Sequence, residues 1–289
     1  MGTKITVRRV ISGHSIEQTT YWQPDRKRME YRNSSGDRLG PRLAAVIRCD
    51  LGKIFELNLD SSEYVSAPYP PLPLTREEMR ARGLDGRRIL WSEKPLLRIE
   101  TKTVDTGERK QLFGHTARHV ITTRTQTPLQ GSNSQPQESV RDGWYIDLNQ
   151  QISCDSSYMP PGRVHANYYD IAAFSSHSFG SQANKDDVME KPEFVNIGKP
   201  EMGFALEALE TSTSAYKSAD GTTRQASSKD QTIVTDLKEG ALDPALFQIP
   251  HGFRQVKEIE RNPPPLPLNP VRQLWERLKY TVSKFFSVD

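Results

Sequence analysis

Apolar and β-branched residues recur at about every second position through much of the first half of this chain, and that period belongs to a sheet with one wet face. The stretch 4–12 sets Ile5, Val7 and Ile11 in near alternation. Lys27–Asn33 puts Met29 and Tyr31 on one side and Arg28, Glu30 and Arg32 on the other. Between it and Thr19–Gln23 stands Gln23-Pro-Asp-Arg26, where proline suits the second turn position, so the two segments predict a hairpin. Leu43–Cys49 and Lys53–Leu59 are further strands joined through Asp50-Leu-Gly52, and Tyr64–Ala67 extends the meander. Lys94–Val104 and Arg109–Arg124 predict a second hairpin about Asp105-Thr-Gly-Glu108. Thr125–Ser139, rich in Gln, Ser, Thr and Pro, reads as a loop, and Trp144–Leu148 as a strand. The polar stretch 149–198 yields no assignment. Phe204–Ser214 and Thr222–Leu237 resume strand composition, Asp243–Phe247 is a turn or helical bend, and Phe253–Ile259 is a short strand.

Two proline runs interrupt this pattern. Both 68–74 and 263–270 are extended and lie off any sheet interior, because proline has no amide to donate, and both read as spacers. After the first, 75–82 predicts a helix capped by Thr75, with Glu77 and Glu78 in its first turn and Gly83 as its stop. After the second comes an amphipathic helix. At 100° per residue Leu274, Trp275, Leu278, Val282, Phe285 and Phe286 share one arc with Val271, leaving Arg272, Arg277 and Lys284 outside it. Such a helix can dock on its own sheet, lie on a membrane surface, or enter a protein partner's groove.

Composition removes several classes of function. A net charge of +3 over 289 residues gives no electrostatic case for a nucleic-acid partner. The basic residues between Arg76 and Arg98 alternate with Glu77, Glu78, Asp85 and Glu93, as on a solvated face; a lipid head-group contact is the other reading. No apolar run is long enough to span a membrane as a helix, and the first residues lack the apolar region of a signal peptide. Two cysteines cannot build a cysteine-based metal cage.

Several pieces in order resemble the lipoprotein-localisation-factor (LolA/LolB-like) fold of bacterial envelope proteins, and more closely an envelope domain family of unknown function. They are Tyr21-Trp-Gln-Pro-Asp-Arg-Lys-Arg-Met-Glu, Ile47-Arg-Cys-Asp-Leu-Gly-Lys-Ile-Phe-Glu-Leu-Asn58 and Asp105-Thr-Gly-Glu-Arg-Lys-Gln-Leu-Phe-Gly-His-Thr-Ala-Arg-His119. After these come Asp142-Gly-Trp-Tyr-Ile-Asp147, Gly203-Phe-Ala-Leu206 and Leu242-Asp-Pro-Ala-Leu-Phe-Gln-Ile-Pro-His-Gly-Phe253. The resemblance implies an α+β fold: a curved antiparallel half-barrel over 1–260 with a few helices on its concave face. It leaves aside an insertion at about 155–200, the Pro-rich linker 261–270 and the amphipathic helix 271–289. It further implies export to the periplasm or cell envelope, with the signal sequence removed; a cytoplasmic protein is the alternative. In an exported protein Cys49 and Cys154 would pair, closing a loop of about 105 residues for roughly 4–5 kcal/mol of chain entropy; two unpaired buried thiols are the other reading.

The candidate chemistry is thin. His115 and His119 have a helical zinc spacing, but on a strand that step is about 13 Å, and no Glu follows His115, so no metal site is assigned. His165 and His177 flank Tyr168, Tyr169, Asp170 and Phe174, either an insertion packed on the sheet or a ligand site, with a hydrolase as the remotest reading. The expectation is a non-enzymatic protein without cofactor that binds a hydrophobic ligand (an acyl chain, lipid or lipidated peptide) in its half-barrel. Trp144, Phe204, Tyr168 and Phe174 are the candidate wall. The alternative is an interaction or scaffold module that has no cavity and uses the tail helix.

Overall fold

A computed structural model describes residues 1–11, 13–35, 38–69, 90–150, 152–154, 188–217 and 222–262. The chain enters its sheet at once. Strands β1 (Gly2–Ile11), β2 (His14–Gln23), β3 (Arg26–Ser35), β4 (Arg38–Arg48), β5 (Lys53–Asn58) and β6 (Glu63–Pro68) each pair antiparallel with the next. They are followed by β7 (Leu90–Leu112), β8 (His115–Pro128), β9 (Gln137–Ile146), β10 (Val188–Ile197), β11 (Phe204–Lys217), β12 (Thr223–Gly240) and β13 (Arg254–Gln255). One 13-stranded sheet results, in the order β10-β7-β8-β9-β11-β12-β1-β2-β3-β4-β5-β6-β13, and it is open because its end strands are not neighbours. The pairs at the two ends, β10 with β7 and β13 with β6, are parallel; the rest are antiparallel.

This overturns the expected α+β class. The structure is 70% strand and 4% helical, and among the described residues the helical part is two 3-10 turns, Cys49–Leu51 and Pro244–Phe247. The physical reason lies in what packs on the sheet. Apart from the short β13, residues 242–261 cover one face of β2–β6 as irregular chain: Pro244 opens a turn at its first position, and Pro250, three residues past its end, disfavours a helical continuation. Asp243 caps that turn, its side chain accepting from the Ala245 amide at 2.9 Å. The helices expected at 75–82 and 271–289 and both proline runs lie outside the described residues, save Pro68 and Tyr69.

The second hairpin also turns elsewhere than expected. Residues 105–108 form a bulge inside the 23-residue β7, and the reversal comes at Phe113 and Gly114, both at positive φ. The Asp-Thr-Gly signal is satisfied locally: the Asp105 carboxylate accepts from the Gly107 amide and from Arg109, which re-enters the ladder opposite Arg118. Likewise the stretch read as a loop at 125–139 keeps both its ends in strands, with Thr125 opposite Glu138 and Gln126 opposite Gln137. Of the stretch left unassigned, 188–197 supplies β10.

Alternation along β4 divides the apolar residues between the faces. Ala44 and Val46 join Leu57 and Phe247 on the outer face, with Tyr21, Phe55, Leu242 and Phe253 around them. Ile47 belongs to the inner cluster with Ile5, Trp22, Ala117, Ile146, Ile152, Leu206, Val234 and Leu237. The carbonyls of the outer covering segment are met by strand side chains. Buried Arg28 donates to Leu246 O at 3.0 Å while paired with Glu30, Arg48 donates to Phe247 O at 3.2 Å, and Asn58 to Glu260 O at 3.0 Å. Irregular backbone laid on a sheet needs such partners, because an unmet buried carbonyl is costly. Phe247, 1% exposed, is the apolar anchor of that cover. Phe247→Ala should therefore cost about 3–5 kcal/mol, read as a lowered urea midpoint at unchanged slope.

Candidate functional site

The register places one end of the sheet, where β1, β8 and β11 begin and β2, β4, β7 and β9 finish, under a short crossing segment. After β9 the chain leaves the ladder at Asp147 and reaches Cys154, which is bonded to Cys49 in the turn after β4, with the two Cα atoms 5.4 Å apart. Five strands lie between β9 and β4 in the sheet. Six inter-strand spacings amount to about 29 Å on a flat sheet, and eight extended residues reach roughly 28 Å, so this strap has little slack. Trp22 Nε1 donates to Asn149 O at 3.2 Å, Ser153 N to Pro24 O at 2.6 Å, and Ile152, 2% exposed, inserts into the inner cluster.

Beside the strap a groove of about 450 Å³ remains, lined by Gly2, Thr3, Trp22, Gln23, Asn149 and Ile152 among others. Met1, Trp22, Pro24 and Ile152 are its apolar members; Thr3, Gln23, Asn149 and Ser153 are its polar ones. No sequence argument singled out this groove. Trp22 was visible only as a hairpin residue, and Ile152 stands in a polar stretch while its cluster draws in Ile5, Trp22 and Ile47, each more than 100 positions away.

Two of the four expected wall residues lie in the described sheet. Phe204 sits at the start of β11 opposite Ile146 and packs half-buried on the inner cluster. Trp144 packs there too, but its ring faces are taken: His119 stacks on it at 4.7 Å between centroids, and Lys110 Nζ lies 4.3 Å from the ring centre. Lys110 in turn donates to Glu207 Oε2 at 2.5 Å. Trp144 thus links β7, β8 and β9 as a cross-strand staple. Tyr168 and Phe174, with His165 and His177, lie outside the described residues, as do Leu274, Trp275, Leu278, Val282, Phe285 and Phe286.

The two strand histidines part company. His115 Nε2 is 3.9 Å from Glu239, whereas His119 directs Nε2 at Asp142 Oδ1 (2.7 Å) and Nδ1 at Glu108 Oε2 (3.1 Å) and Thr106 Oγ1 (3.1 Å). Thr106, His119 and Asp142 fall in the order of a hydroxyl–imidazole–carboxylate triad. Thr106 Oγ1 is also within donating distance of His119 O (3.3 Å), and each ring nitrogen faces a carboxylate, Glu108 at Nδ1 and Asp142 at Nε2, so Thr106 shares Nδ1 with Glu108. The group holds three strands together. Among the described residues no three His, Cys, Asp or Glu side chains converge as a metal site.

Nearby charges are similarly structural. The Arg109 guanidinium, helped by the Gly107 amide, holds the exposed Asp105 carboxyl down at about 2. Glu201, with Asp147, raises Arg118 further above its ordinary range, tying the start of the strap to the chain before β11. A scan against protein-family models finds no match for the chain, and a search of curated proteins returns no relative.

Two measurements probe this end of the sheet. Asp105 should titrate by NMR near pH 2 and move back toward the ordinary carboxylate range in Arg109→Ala; its small contribution to stability is present above that range and lost as pH falls through about 2. A double-mutant cycle on Trp144→Leu and His119→Leu should return a coupling of about 0.5–1.5 kcal/mol.

Proposed function

We propose that this chain is a non-enzymatic protein of the cell envelope that binds a hydrophobic ligand, an acyl chain, lipid or lipidated peptide, where the strap crosses the inner face. The observation that carries this reading is the roof of the inner cluster at Trp22. It is a disulfide-tied irregular segment, and it leaves a groove of about 450 Å³ with apolar Trp22 and Ile152 beside polar Thr3, Gln23, Asn149 and Ser153. That volume lies within the range of ligand sites, and a mixed polar and apolar lining suits an amphiphile. The Cys49–Cys154 bond supports an oxidising compartment, where such bonds persist. The resemblance to LolA/LolB-like carriers supports the same role, with the groove beside Trp22 taking the place of the expected wall around Trp144.

An interaction module is the second reading, and the β10 edge favours it. Among the described residues the outer side of β10 has no neighbouring strand, and Phe194 on it is 66% exposed. Native mass spectrometry of the oxidised, detergent-free protein after incubation with phosphatidylglycerol vesicles separates the two. A lipid-mass adduct is expected, and it should vanish in Ser153→Trp, which fills the groove from its exposed rim, while circular dichroism stays the same. A bare mass for the folded wild-type chain sinks the ligand reading and turns attention to the β10 edge.

A further inference from the structure

We infer that the end of the sheet carrying the groove is a membrane-docking rim, whose turn tips Leu51, Phe113 and Met202 enter the surface of an anionic phospholipid bilayer. The register brings all three to that end. Leu51 lies in the turn between β4 and β5, Phe113 in that between β7 and β8, and Met202 just before β11. They are 51%, 42% and 52% exposed. In the sheet β11 is two strand spacings from β8, about 10 Å, and the Cys49–Cys154 bond ties the Leu51 turn to the segment after β9, the strand between them.

The opposite end is built differently. Its described tips are Gly13, Asp60-Ser61-Ser62 and Gly131-Ser132-Asn133, while Leu59 and Leu129 beside them are half-buried. The exposed apolar residues near that end, Ile11, Leu39 and Tyr216, lie within strands. Phe113 also carries backbone strain. It and Gly114 are the central residues of a two-residue turn, at φ of 51° and 80°, and a turn with both at positive φ ordinarily opens on Asn or Asp. A bulky side chain is strained there, and a residue this exposed recovers little of that by burial.

The charges at this end suit an anionic surface. Asp25 is paired with Arg26, Asp50 with Arg48, and Asp147 and Glu201 with Arg118, while Glu239 lies 3.9 Å from His115. Lys53, two residues past Leu51, and Lys199, three before Met202, are exposed and have no acidic partner among the described residues. A lysine beside an apolar tip lets the tip sink below the head groups while the ammonium stays among the phosphates. The groove at Trp22 opens at the same end, yet the rim stands whether or not the groove takes a ligand.

The test is vesicle co-sedimentation of the full oxidised chain, with phosphatidylcholine alone and with an equal mixture of phosphatidylcholine and phosphatidylglycerol. The wild-type chain should bind the mixed vesicles, and bind them less at high salt. The variant Leu51→Ser, Phe113→Asn, Met202→Ser should keep its sheet spectrum and partition about tenfold or more weakly. Phe113→Asn alone, which suits the turn, should lose several-fold. Lys53→Glu with Lys199→Glu should reduce binding to the level seen with phosphatidylcholine alone, whereas Leu39→Ser, the same kind of change at the opposite end, should bind as the wild type does. Wild-type protein left in solution with both vesicles overturns the inference and leaves a protein partner for the tips. So do equal binding to both vesicles, folded tip variants that bind like the wild type, which would place the membrane contact elsewhere, and a Leu39→Ser loss as large as theirs. None of these outcomes bears on the lipid-mass adduct by which the groove is judged.

Discussion

The ladder between β1 and β12 is the seam on which the whole sheet depends. Strands β1–β6 form a meander of near neighbours in sequence, and β7–β12 a second group; only the pairing of Gly2–Ile11 with residues 230–240 makes them one sheet. Ile5 opposite Leu237 and Val7 opposite Val234 place apolar pairs along that seam on the inner face, and Lys4 meets Asp236 at 2.8 Å beside them. The Asp236 carboxyl is held below its usual range mainly by that lysine, and Lys4 is raised in turn. Because the partners are over 200 residues apart, the seam is the costliest loop to close, and it belongs late in folding.

A sheet this wide must cover its faces, and here both covers at the seam end are irregular chain. Residues 242–261 lie on the outer face of β2–β6, pinned by Arg28, Arg48 and Asn58 to carbonyls and by Phe247 to the apolar cluster. The strap lies on the inner face, pinned by Trp22, Ile152 and a disulfide. The inner cover thus adds a covalent bond at its end, and the groove beside Trp22 opens along it. Away from this end the long strands β8, β11 and β12 turn polar, with Thr and Ser where the inner cluster would continue.

Much of the strand list was legible because a period of two is written in adjacent residues. Met29 and Tyr31 against Arg28 and Glu30 announce β3 whatever its neighbours are, and Asp243-Pro announces its capped turn. The misplaced hairpin at 105–108 shows the limit of local signals. Asp-Thr-Gly satisfies itself as a bulge, while Phe113-Gly114, a pair with no strong turn composition at its first position, makes the reversal because the ladder to β8 closes there. The contacts of Trp144 were equally out of reach of local signals, since Lys110 and His119 come to its ring from two other strands.

The amino-acid sequence alone determined that this chain is rich in antiparallel strands with one apolar face, where several of its short turns fall, and which pair of thiols it has to offer. Which strands become neighbours was decided only by the tertiary structure, since strand order rests on pairings such as β1 with β12 that no local pattern encodes. The same holds for the cover of that sheet. Helical expectation is local, whereas the segments on both faces are set by which distant side chains can meet their carbonyls. The groove at Trp22 exists because a strap from one half of the chain crosses to a cysteine in the other, a contact made by three-dimensional closure and invisible to any window of sequence.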